Sequence, residues 1–437
     1  MTFIDLFCCV PSFAVFTLQC AVKNNAWGSI GTKSEVALLR QGGDSTFELQ
    51  DDMTYAELWM GTHVKGDSIL TSSEHAGKTL SQWVEEHPDC LGSKVRSKFN
   101  DQLPYLFKVL SINKTLSIQA HPNKTHAEQL NAKHPDIYVD DNHKPEMALA
   151  LTPFEGMNGF KRLSKIVHFL EAIPEFRTVV GEKETKALQE ACRTDPKGTS
   201  DSAKAVLKKS FTSFMNRDES LVSEQLDKLE KRFQKLVDEG QDISNVDGEI
   251  FLRLCKEYPG DAGSFVSYFF NVMTLKPGEA MFLQANEPHA YMSGDCIECM
   301  ACSDNVVRAG LTAKYKDVPT LCEMLSYITS TPEERIFDSH VDPSDPCVTI
   351  YNPAIPDFAI AKVEILAETR NHTLGAYDSG SIVLFIRGSA TATSSSISET
   401  LSLRRGSVIF VAAGESVQLN LESNDGLLAF RAYCPLD

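Results

Sequence analysis

Several features that would point to other classes of protein are absent from this sequence. It contains no apolar run long and uninterrupted enough to span a bilayer, and no Walker-type or dinucleotide glycine pattern that would indicate a bound nucleotide. Positive charge is scarce, because 42 lysines and arginines face 59 acidic residues and leave a formal net charge of −17. We therefore expect no binding to nucleic acid or to an anionic membrane, and an anionic substrate would need a local cluster of cations. Nothing in the sequence indicates an obligate protein partner.

A compact disulfide framework is also missing. The 12 cysteines are scattered along a long chain, which favours reduced thiols and a cytoplasmic protein. The apolar start, Met1 to Cys20, resembles a secretion signal but has no Lys or Arg before Lys23, contains Asp5 and is broken by Pro11. We therefore expect that the chain is not secreted.

The pattern of apolar residues and turn signals along the 437 residues predicts a mainly β protein with a helical insertion. Short β-rich runs and turn signals occupy residues 1–160 and 259–335, which we assign to two parts of one catalytic domain. Residues 161–258 change to helical periodicity, and residues 336–437 return to short strands in a C-terminal β domain. The insertion would separate the two catalytic segments in sequence while the fold brings them together.

Local patterns predict individual elements. An amphipathic helix ending at Gly240 is predicted where apolar residues recur at steps of three and four: Val222, Leu226, Leu229, Phe233, Leu236 and Val237. The same spacing links Leu207, Phe211, Phe214 and Met215. Strands are predicted at residues 264–275, 279–283, 381–387 and 407–411.

The two β-rich regions share an internal repeat. Residues 275–289 align without gaps with residues 403–417, and each copy has a strand, a glycine turn, a second strand and a loop. This arrangement is typical of a jelly-roll barrel of the cupin type. Val417 replaces His289 in the second copy and cannot bind a metal, so we predict a C-terminal cupin-like domain without metal.

Four polar residues predict a metal site in the catalytic segments. Gln119 and His121 lie two apart in a predicted strand, so their side chains point to the same face. Glu146 begins an apolar strand, and a partly buried carboxylate needs a partner such as a cation. His289 follows a turn at Asn-Glu-Pro. Two imidazoles, an amide oxygen and a carboxylate suit one zinc ion with room for water or substrate.

The best rival metal site is the run from Cys296 to Cys302. Its Cys-x-x-Cys spacing suits zinc or an iron–sulfur cluster. In an extended strand, however, Cys296, Glu298 and Cys302 share one face while Cys299 points to the other, so the thiols do not converge. We therefore expect structural thiols here.

Cations cluster in the same segments despite the acidic composition. Lys108, Lys144, Arg308 and Lys314 lie in or beside them. Arg308 stands out because Ser303, Asp304, Asn305 and Thr312 bracket its guanidinium, whose fork of donors suits a phosphate or a developing oxyanion.

Five motifs resemble those of the type I phosphomannose isomerases, and the likeness extends from about Cys20 to the C-terminus. The motifs are Gln119-Ala-His121-Pro, His143-Lys-Pro-Glu146, Tyr258-Pro-Gly-Asp261, Ala285-Asn-Glu-Pro-His289-Ala-Tyr, and the long run from Gly294 to Thr312. Asn123 and Ala313 depart from the residues usual in that family, but neither is a candidate ligand.

The resemblance implies a fold, a cofactor and a reaction. It implies a cupin-like catalytic domain interrupted by a helical domain and followed by a C-terminal cupin-like domain. It implies one Zn²⁺ per chain, held by Gln119, His121, Glu146 and His289. It also implies reversible conversion of mannose 6-phosphate to fructose 6-phosphate, which supplies mannose 6-phosphate for GDP-mannose synthesis and glycosylation.

Roles for the remaining polar residues follow as a hypothesis. Moving a proton between neighbouring carbons through an enediol requires a proton relay and stabilisation of negative charge on oxygen. We assign the relay to Lys144 and Glu298 and charge stabilisation to Arg308. Lys108, Ser117 and Lys314 are candidates to hold the phosphate, and Glu57, Tyr291 and Asp304 to line the sugar site.

Two other classes of function remain open at this point. A non-catalytic sugar-phosphate sensor would keep the barrel, although it would be free to lose Arg308, Lys144 or a ligand. An iron-dependent cupin oxygenase would also use histidines and a carboxylate, although the amide ligand and clustered cations fit a phosphosugar better.

Overall fold

The structure, a computed structural model, describes residues 14–71, 75–397, 399–422 and 424–436. Most of the segment considered above as a possible secretion signal lies outside these residues. Within them, no helix combines the length and the apolar character needed to cross a membrane.

The described residues form 25 strands, most of them short. In chain order they are β1 Val15–Gln19, β2 Ala21–Lys23, β3 Ser29–Ile30, β4 Thr54–Tyr55, β5 Glu57–Met60, β6 Ile69–Leu70, β7 Tyr105–Ile112, β8 Ile118–Ala120, β9 Glu146–Ala150, β10 Phe154–Lys161, β11 Phe270–Leu275, β12 Ala280–Leu283, β13 His289–Ala301, β14 Val307–Gly310, β15 Thr329–Ser330, β16 His340–Asp342, β17 Asp345–Tyr351, β18 Ala359–Ile365, β19 Asn371–Leu374, β20 Ser381–Arg387, β21 Ala390–Thr393, β22 Leu401–Leu403, β23 Val408–Val411, β24 Val417–Leu421 and β25 Leu427–Tyr433.

Helices are concentrated between β10 and β11. In chain order they are α1 Glu35–Gly43, α2 Leu80–Glu86, α3 Ser93–Phe99, α4 Lys124–Lys133, α5 Leu163–Ala172, α6 Pro174–Val180, α7 Glu182–Thr194, α8 Asp201–Met215, α9 Glu219–Asp238, α10 Gly248–Glu257, α11 Gly263–Val266 and α12 Val318–Met324. This mainly β architecture with a helical insertion is the predicted fold class.

The chain divides into two compact units. The first comprises the described residues within 1–111, 297–302 and 338–437, and the second comprises residues 112–296 and 303–337. In the first unit, an eight-stranded sheet ordered β16-β17-β18-β25-β20-β23-β1-β6 faces a four-stranded sheet ordered β19-β24-β21-β22. Side chains from both sheets, such as Val363 and Phe385 on one and Leu374 and Leu419 on the other, share one buried apolar core.

The second unit joins a sheet to the helices through one large apolar core. Its strand β10 pairs with β11 on one side and β13 on the other. Helix α8 packs on β10, where the Phe211 ring lies 5.4 Å from that of Phe160 in an edge-on contact. Because aromatic pairs bury large areas, the insertion is held to the sheet that carries it.

The helix predicted from Val222 to Val237 is confirmed as α9. Asp218 caps it by accepting a hydrogen bond from the Leu221 N–H, and Gly240 follows its end with a φ of +73°. The predicted stripe is buried from Val222 to Phe233, whereas Leu236 is half-buried and Val237 is 42% exposed.

The strand predicted at residues 264–275 is only half right. Residues Gly263–Val266 form the short helix α11, and the strand starts at Phe270. Asp261 turns the chain into the helix by accepting the Gly263 N–H at 2.7 Å. Residues 264–271 are buried throughout, and a continuously buried run does not distinguish helix from strand.

The internal repeat is confirmed element by element. Leu275 and Leu403 each end a strand, β12 aligns with β23, and His289 and Val417 each begin the strand after the loop. The turn glycines match too, with φ of +88° at Gly278 and +84° at Gly406. The repeated sequence therefore specifies the same order of strand, glycine turn, strand, loop and strand twice.

The turn at Gly406 leads to a stability prediction. A Cβ added there would lie 1.9 Å from the Leu39 carbonyl oxygen, whereas one added at Gly414, where φ is +79°, meets nothing within 4 Å. Gly414→Ala should cost only the left-handed backbone penalty, about 1–2 kcal/mol. Gly406→Ala should cost clearly more, because the backbone of α1 must also move. Equal losses in the free energy of unfolding, measured by urea denaturation of both variants, would contradict this account of the turn.

Candidate metal centre

Three neighbouring strands place the candidate residues on one face of the sheet. Strand β8 lies between β13 and β14, so Gln119 is directly opposite His289 on one side and Arg308 on the other. Side chains at paired positions of antiparallel strands point the same way and lie about 4.5–5.5 Å apart at Cβ. Residues far apart in sequence therefore meet at Gln119.

The Glu146 carboxylate joins the two histidines. His121 Nε2 lies 3.5 Å from Glu146 Oε1, and His289 Nε2 lies 3.5 Å from Oε2 of the same carboxylate. The two imidazole centroids are 5.0 Å apart. All three side chains are buried, and their donor atoms lie within 4.8 Å of one another, so the group could hold one metal ion.

Backbone carbonyls set the orientation of both imidazoles. His121 Nδ1 donates to the Asn305 carbonyl at 2.7 Å, and His289 Nδ1 donates to the Glu287 carbonyl at 3.1 Å. These bonds place the proton on Nδ1 and leave the Nε2 lone pairs facing Glu146, as metal-binding histidines require. The Asn305 side chain is held in turn by the Asp140 carbonyl oxygen at 2.7 Å.

The protonation states also suit a cation. Burial lowers the pKa of His121 to about 4 in spite of the nearby Glu146 charge. Burial alone would raise the pKa of Glu146, but its close approach to His121, Lys144 and His289 holds that pKa well below its usual value. Near neutral pH the site therefore contains a neutral His121 and an ionised Glu146.

A metal ion fits this donor set. His121 Nε2, His289 Nε2 and Glu146 Oε2 are buried and make no hydrogen bond to any described residue. Buried polar atoms are costly unless they have partners. Two ligands of a tetrahedral zinc ion lie about 3.3–3.4 Å apart, which matches the separations above. Imidazole and carboxylate donors suit Zn²⁺, and Gln119 adds an amide oxygen on the same face.

Cationic side chains lie beside these donors. Lys144 Nζ is 3.4 Å from Glu146 Oε1. Arg308 is half-buried, its pKa is lowered by burial, and its Nε makes no hydrogen bond to a described residue. A cavity of about 310 Å³, lined among others by Tyr138 and Asp317, reaches this guanidinium. An arginine always remains charged, so Arg308 offers a free donor to an anion.

The other candidates of this unit are spread around β8, β13 and β14. Ser117 is half-buried two residues before Gln119, and Tyr291 is buried two residues after His289, with ring centroids 6.5 Å apart for Tyr291 and His289. Lys314 and Asp304 are exposed in the segments that follow and precede β14.

Glu57, Lys108 and Glu298 belong to the first unit and form a cluster there. Lys108 Nζ donates to Glu298 Oε2 at 2.8 Å and lies 3.5 Å from Glu57 Oε2. Trp59 Nε1 also donates to Glu57 Oε2, at 2.9 Å, and its ring packs under the lysine. The side chains of Lys108 and Glu298 are only 9% and 4% exposed. Such a buried pair of charges needs close pairing to persist.

The run from Cys296 to Cys302 is extended, as predicted. Strand β13 runs through Ala301, and none of the three cysteines forms a disulfide. Burial raises the pKa of Cys299 well above its usual value, which keeps that thiol protonated and inert.

Asn305, Glu287 and Asp261 contribute to the site in ways that the sequence analysis missed. The first two act through their carbonyl oxygens, which leave no trace in the side-chain pattern. Asp261 accepts the Leu311 N–H at 2.9 Å and the Thr312 N–H at 3.1 Å, and so secures the turn after Arg308. Asp261 could have been predicted to have a role in the site, because it is part of the motif from Tyr258 to Asp261.

A cupin-like scaffold with this donor group defines a class of metal-dependent enzymes, and comparisons with known proteins specify it further. Models of the catalytic domain and the helical insertion domain of type I phosphomannose isomerase match residues 15–163 and 179–270. Mannose-6-phosphate isomerase of Bos taurus is 48% identical over 97% of this chain and 99% of its own length. Mannose-6-phosphate isomerase 1 of Arabidopsis thaliana is 39% identical over 95% of this chain and 93% of its own length.

Solved structures agree with these sequence relatives. A zinc-bound mannose 6-phosphate isomerase is 30% identical, has a TM-score of 0.79, and covers 97% of this chain and 100% of its own. A phosphomannose isomerase mutant from Salmonella typhimurium is 29% identical with a TM-score of 0.79 over the same shares. The chain belongs to the type I phosphomannose isomerase family. The predicted family is thereby confirmed, and the chain is an isomerase.

The donor geometry predicts that His121 is needed for metal retention. His121→Ala removes one of two buried imidazoles, so metal affinity should fall by more than the roughly 10–100-fold typical of losing a group that only orients a ligand. The metal content of the purified protein should drop by one tightly bound ion per chain. His134→Ala, which changes an exposed histidine, is the matched control and should keep that ion. Full retention by His121→Ala, with an unchanged circular dichroism spectrum, would exclude His121 as a ligand.

Proposed function

We propose that this chain is a zinc-dependent aldose–ketose isomerase that interconverts mannose 6-phosphate and fructose 6-phosphate. The observation that carries the proposal is the Glu146 carboxylate shared by two buried imidazoles, on a sheet face that also carries Gln119 and Arg308. Relatives that match nearly the whole chain are named mannose-6-phosphate isomerase. The product would feed GDP-mannose synthesis and glycosylation.

Gln119, His121, Glu146 and His289 are the proposed zinc ligands. When bound, the ion supplies a positive charge that polarises a substrate oxygen. With a single anionic ligand the site keeps a net positive charge. The Nδ1 hydrogen bond of each histidine fixes its ring, so the ligands are already arranged before the metal arrives.

Charge stabilisation falls to Arg308. The enediol intermediate places negative charge on oxygen, and a preorganised guanidinium in a half-buried position stabilises it more strongly than water does. Its unpartnered Nε supports this role, since no described residue competes for that donor.

Lys144 and Glu298 are the proposed proton relay. Lys144 lies 3.4 Å from a ligand carboxylate and is largely buried, so it is held beside the metal group. Glu298 is buried and bonded to Lys108. Lys108, Ser117 and Lys314 are proposed to hold the phosphate, because ammonium and hydroxyl donors suit its oxygens. Glu57, Tyr291 and Asp304 are proposed to line the sugar site.

The proposed domain organisation retains the four segments expected from the sequence. Residues 1–160 and 259–335 would form the catalytic cupin-like domain, residues 161–258 the helical insertion, and residues 336–437 the C-terminal cupin-like domain. The run of helices from α5 to α10 supports the insertion.

The described cysteines form no disulfide, which supports a reducing compartment such as the cytoplasm.

Metal removal tests the reaction directly. In a coupled assay for fructose 6-phosphate, the purified chain should turn over mannose 6-phosphate, lose activity in a chelator and regain it when Zn²⁺ is added back. Binding of the sugar phosphate without turnover would instead indicate a sensor. Oxygen uptake restored by iron and not by zinc would indicate an oxygenase. Either result would overturn the proposal.

Arg308→Ala tests charge stabilisation separately from metal binding. Removing one donor to a developing oxyanion typically lowers kcat by about 10²–10³-fold. We expect a loss of at least that size with zinc content unchanged, because Arg308 is not a ligand. Arg193→Ala, on the exposed surface of α7, is the matched control. Near-normal turnover by Arg308→Ala would remove this residue from the mechanism.

A further inference from the structure

A second group of metal-binding side chains lies in the C-terminal β region. Asp345, Cys347 and His372 present an oxygen, a sulfur and a nitrogen that all lie within 4.8 Å of one another. No residue of the proposed active site belongs to this group. Carboxylate, thiolate and imidazole are the three donor types that zinc accepts in proteins.

The fold brings these donors together from two facing sheets. Asp345 and Cys347 are two apart in β17, so they share a face, and β17 belongs to the eight-stranded sheet. His372 is in β19, an edge strand of the four-stranded sheet. An ion held by all three would link the two sheets at that end of the sandwich.

The donor atoms are already oriented. The Cys347 N–H donates to Asp345 Oδ1 at 3.0 Å, which turns Oδ2 to within 3.2 Å of His372 Nε2. That separation is close to the roughly 3.3 Å edge of a tetrahedral zinc site. His372 Nε2 is buried and makes no hydrogen bond to a described residue, although the whole side chain is 11% exposed. A metal ion would give this nitrogen the partner that burial demands.

A cavity beside Asp345 and His372 gives an ion access to the three donors and leaves room for a water ligand. A cavity of about 430 Å³ is lined by Asp345 and His372 together with Asp342 and Tyr377. Three protein ligands leave the fourth position of a tetrahedral ion open to water in this cavity.

We propose that Asp345, Cys347 and His372 bind one divalent ion of the borderline class, such as Zn²⁺, separately from the catalytic metal. Cys347 releases its proton to solvent as the sulfur–metal bond forms. The site stabilises the C-terminal sandwich, because an ion that binds only the folded state favours that state.

This proposal differs from the expectation, drawn from the sequence, of a C-terminal domain without metal. The position equivalent to His289 is indeed the buried Val417, and the donors come from other strands.

Cobalt distinguishes the two sites, because the proposed catalytic ligands include no cysteine. The full chain is stripped of metal under reducing conditions and titrated with Co²⁺. We expect two bound ions per chain and a thiolate-to-cobalt charge-transfer band in the near ultraviolet. The absence of that band at saturation would overturn the proposal.

Matched variants assign the band to these residues. Cys347→Ser should lose the band and one bound ion, and His372→Gln should lose one bound ion and most of the band. Turnover of mannose 6-phosphate by the zinc-loaded variants should equal that of the unchanged chain. Cys192→Ser and His134→Gln, which alter half-buried and exposed residues elsewhere, should keep both ions. A band that survives in Cys347→Ser, or is unaltered in His372→Gln, would show that other thiols bind the metal.

Discussion

The buried carboxylate of Glu146 is the constraint around which the catalytic segments are organised. An ionised group in the protein interior is costly unless cations or strong hydrogen bonds compensate it. Here two imidazoles approach the two oxygens at 3.5 Å each, and Lys144 lies beside one of them. The backbone fixes the imidazoles with their lone pairs inward. A divalent cation stabilises this arrangement, since it compensates the negative charge of the carboxylate and gives each buried donor atom the partner that it otherwise lacks.

Strand β8 supplies the second constraint. It is only three residues long, but its pairing with β13 and β14 places Gln119 between His289 and Arg308. A shift of one residue in either pairing would turn Gln119 to the opposite face. The apolar neighbours Ile118 and Ala120, both fully buried, hold the register because they must face the core. Packing thus determines where the polar donors point.

The internal repeat shows that the same backbone arrangement can carry a metal ligand in one copy and an apolar residue in the other. Both copies have the same strands and the same left-handed glycine at the turn, yet one starts its last strand with a histidine and the other with a valine. The backbone geometry of the repeat therefore depends on the turn glycine and on alternating apolar positions. Whether a copy can bind a metal depends on the single residue that follows the loop. In the C-terminal β region a different group of potential ligands lies on β17 and β19, outside the repeat.

The mainly β class, the helix α9, the repeat and the identity of the candidate donors follow from the amino-acid sequence alone, because periodicity and side-chain type are local properties. It did not separate helix α11 from strand β11, since both are buried in the same apolar core and carry no periodic signal. It also gave no hint that the carbonyls of Asn305 and Glu287 orient the histidines, because every residue has a carbonyl. Which of these side chains lie next to one another depends on the tertiary structure, since strand pairing and register bring residues 119, 146, 289 and 308 together. Those pairings depend on burial across the whole unit, which no short stretch of sequence contains.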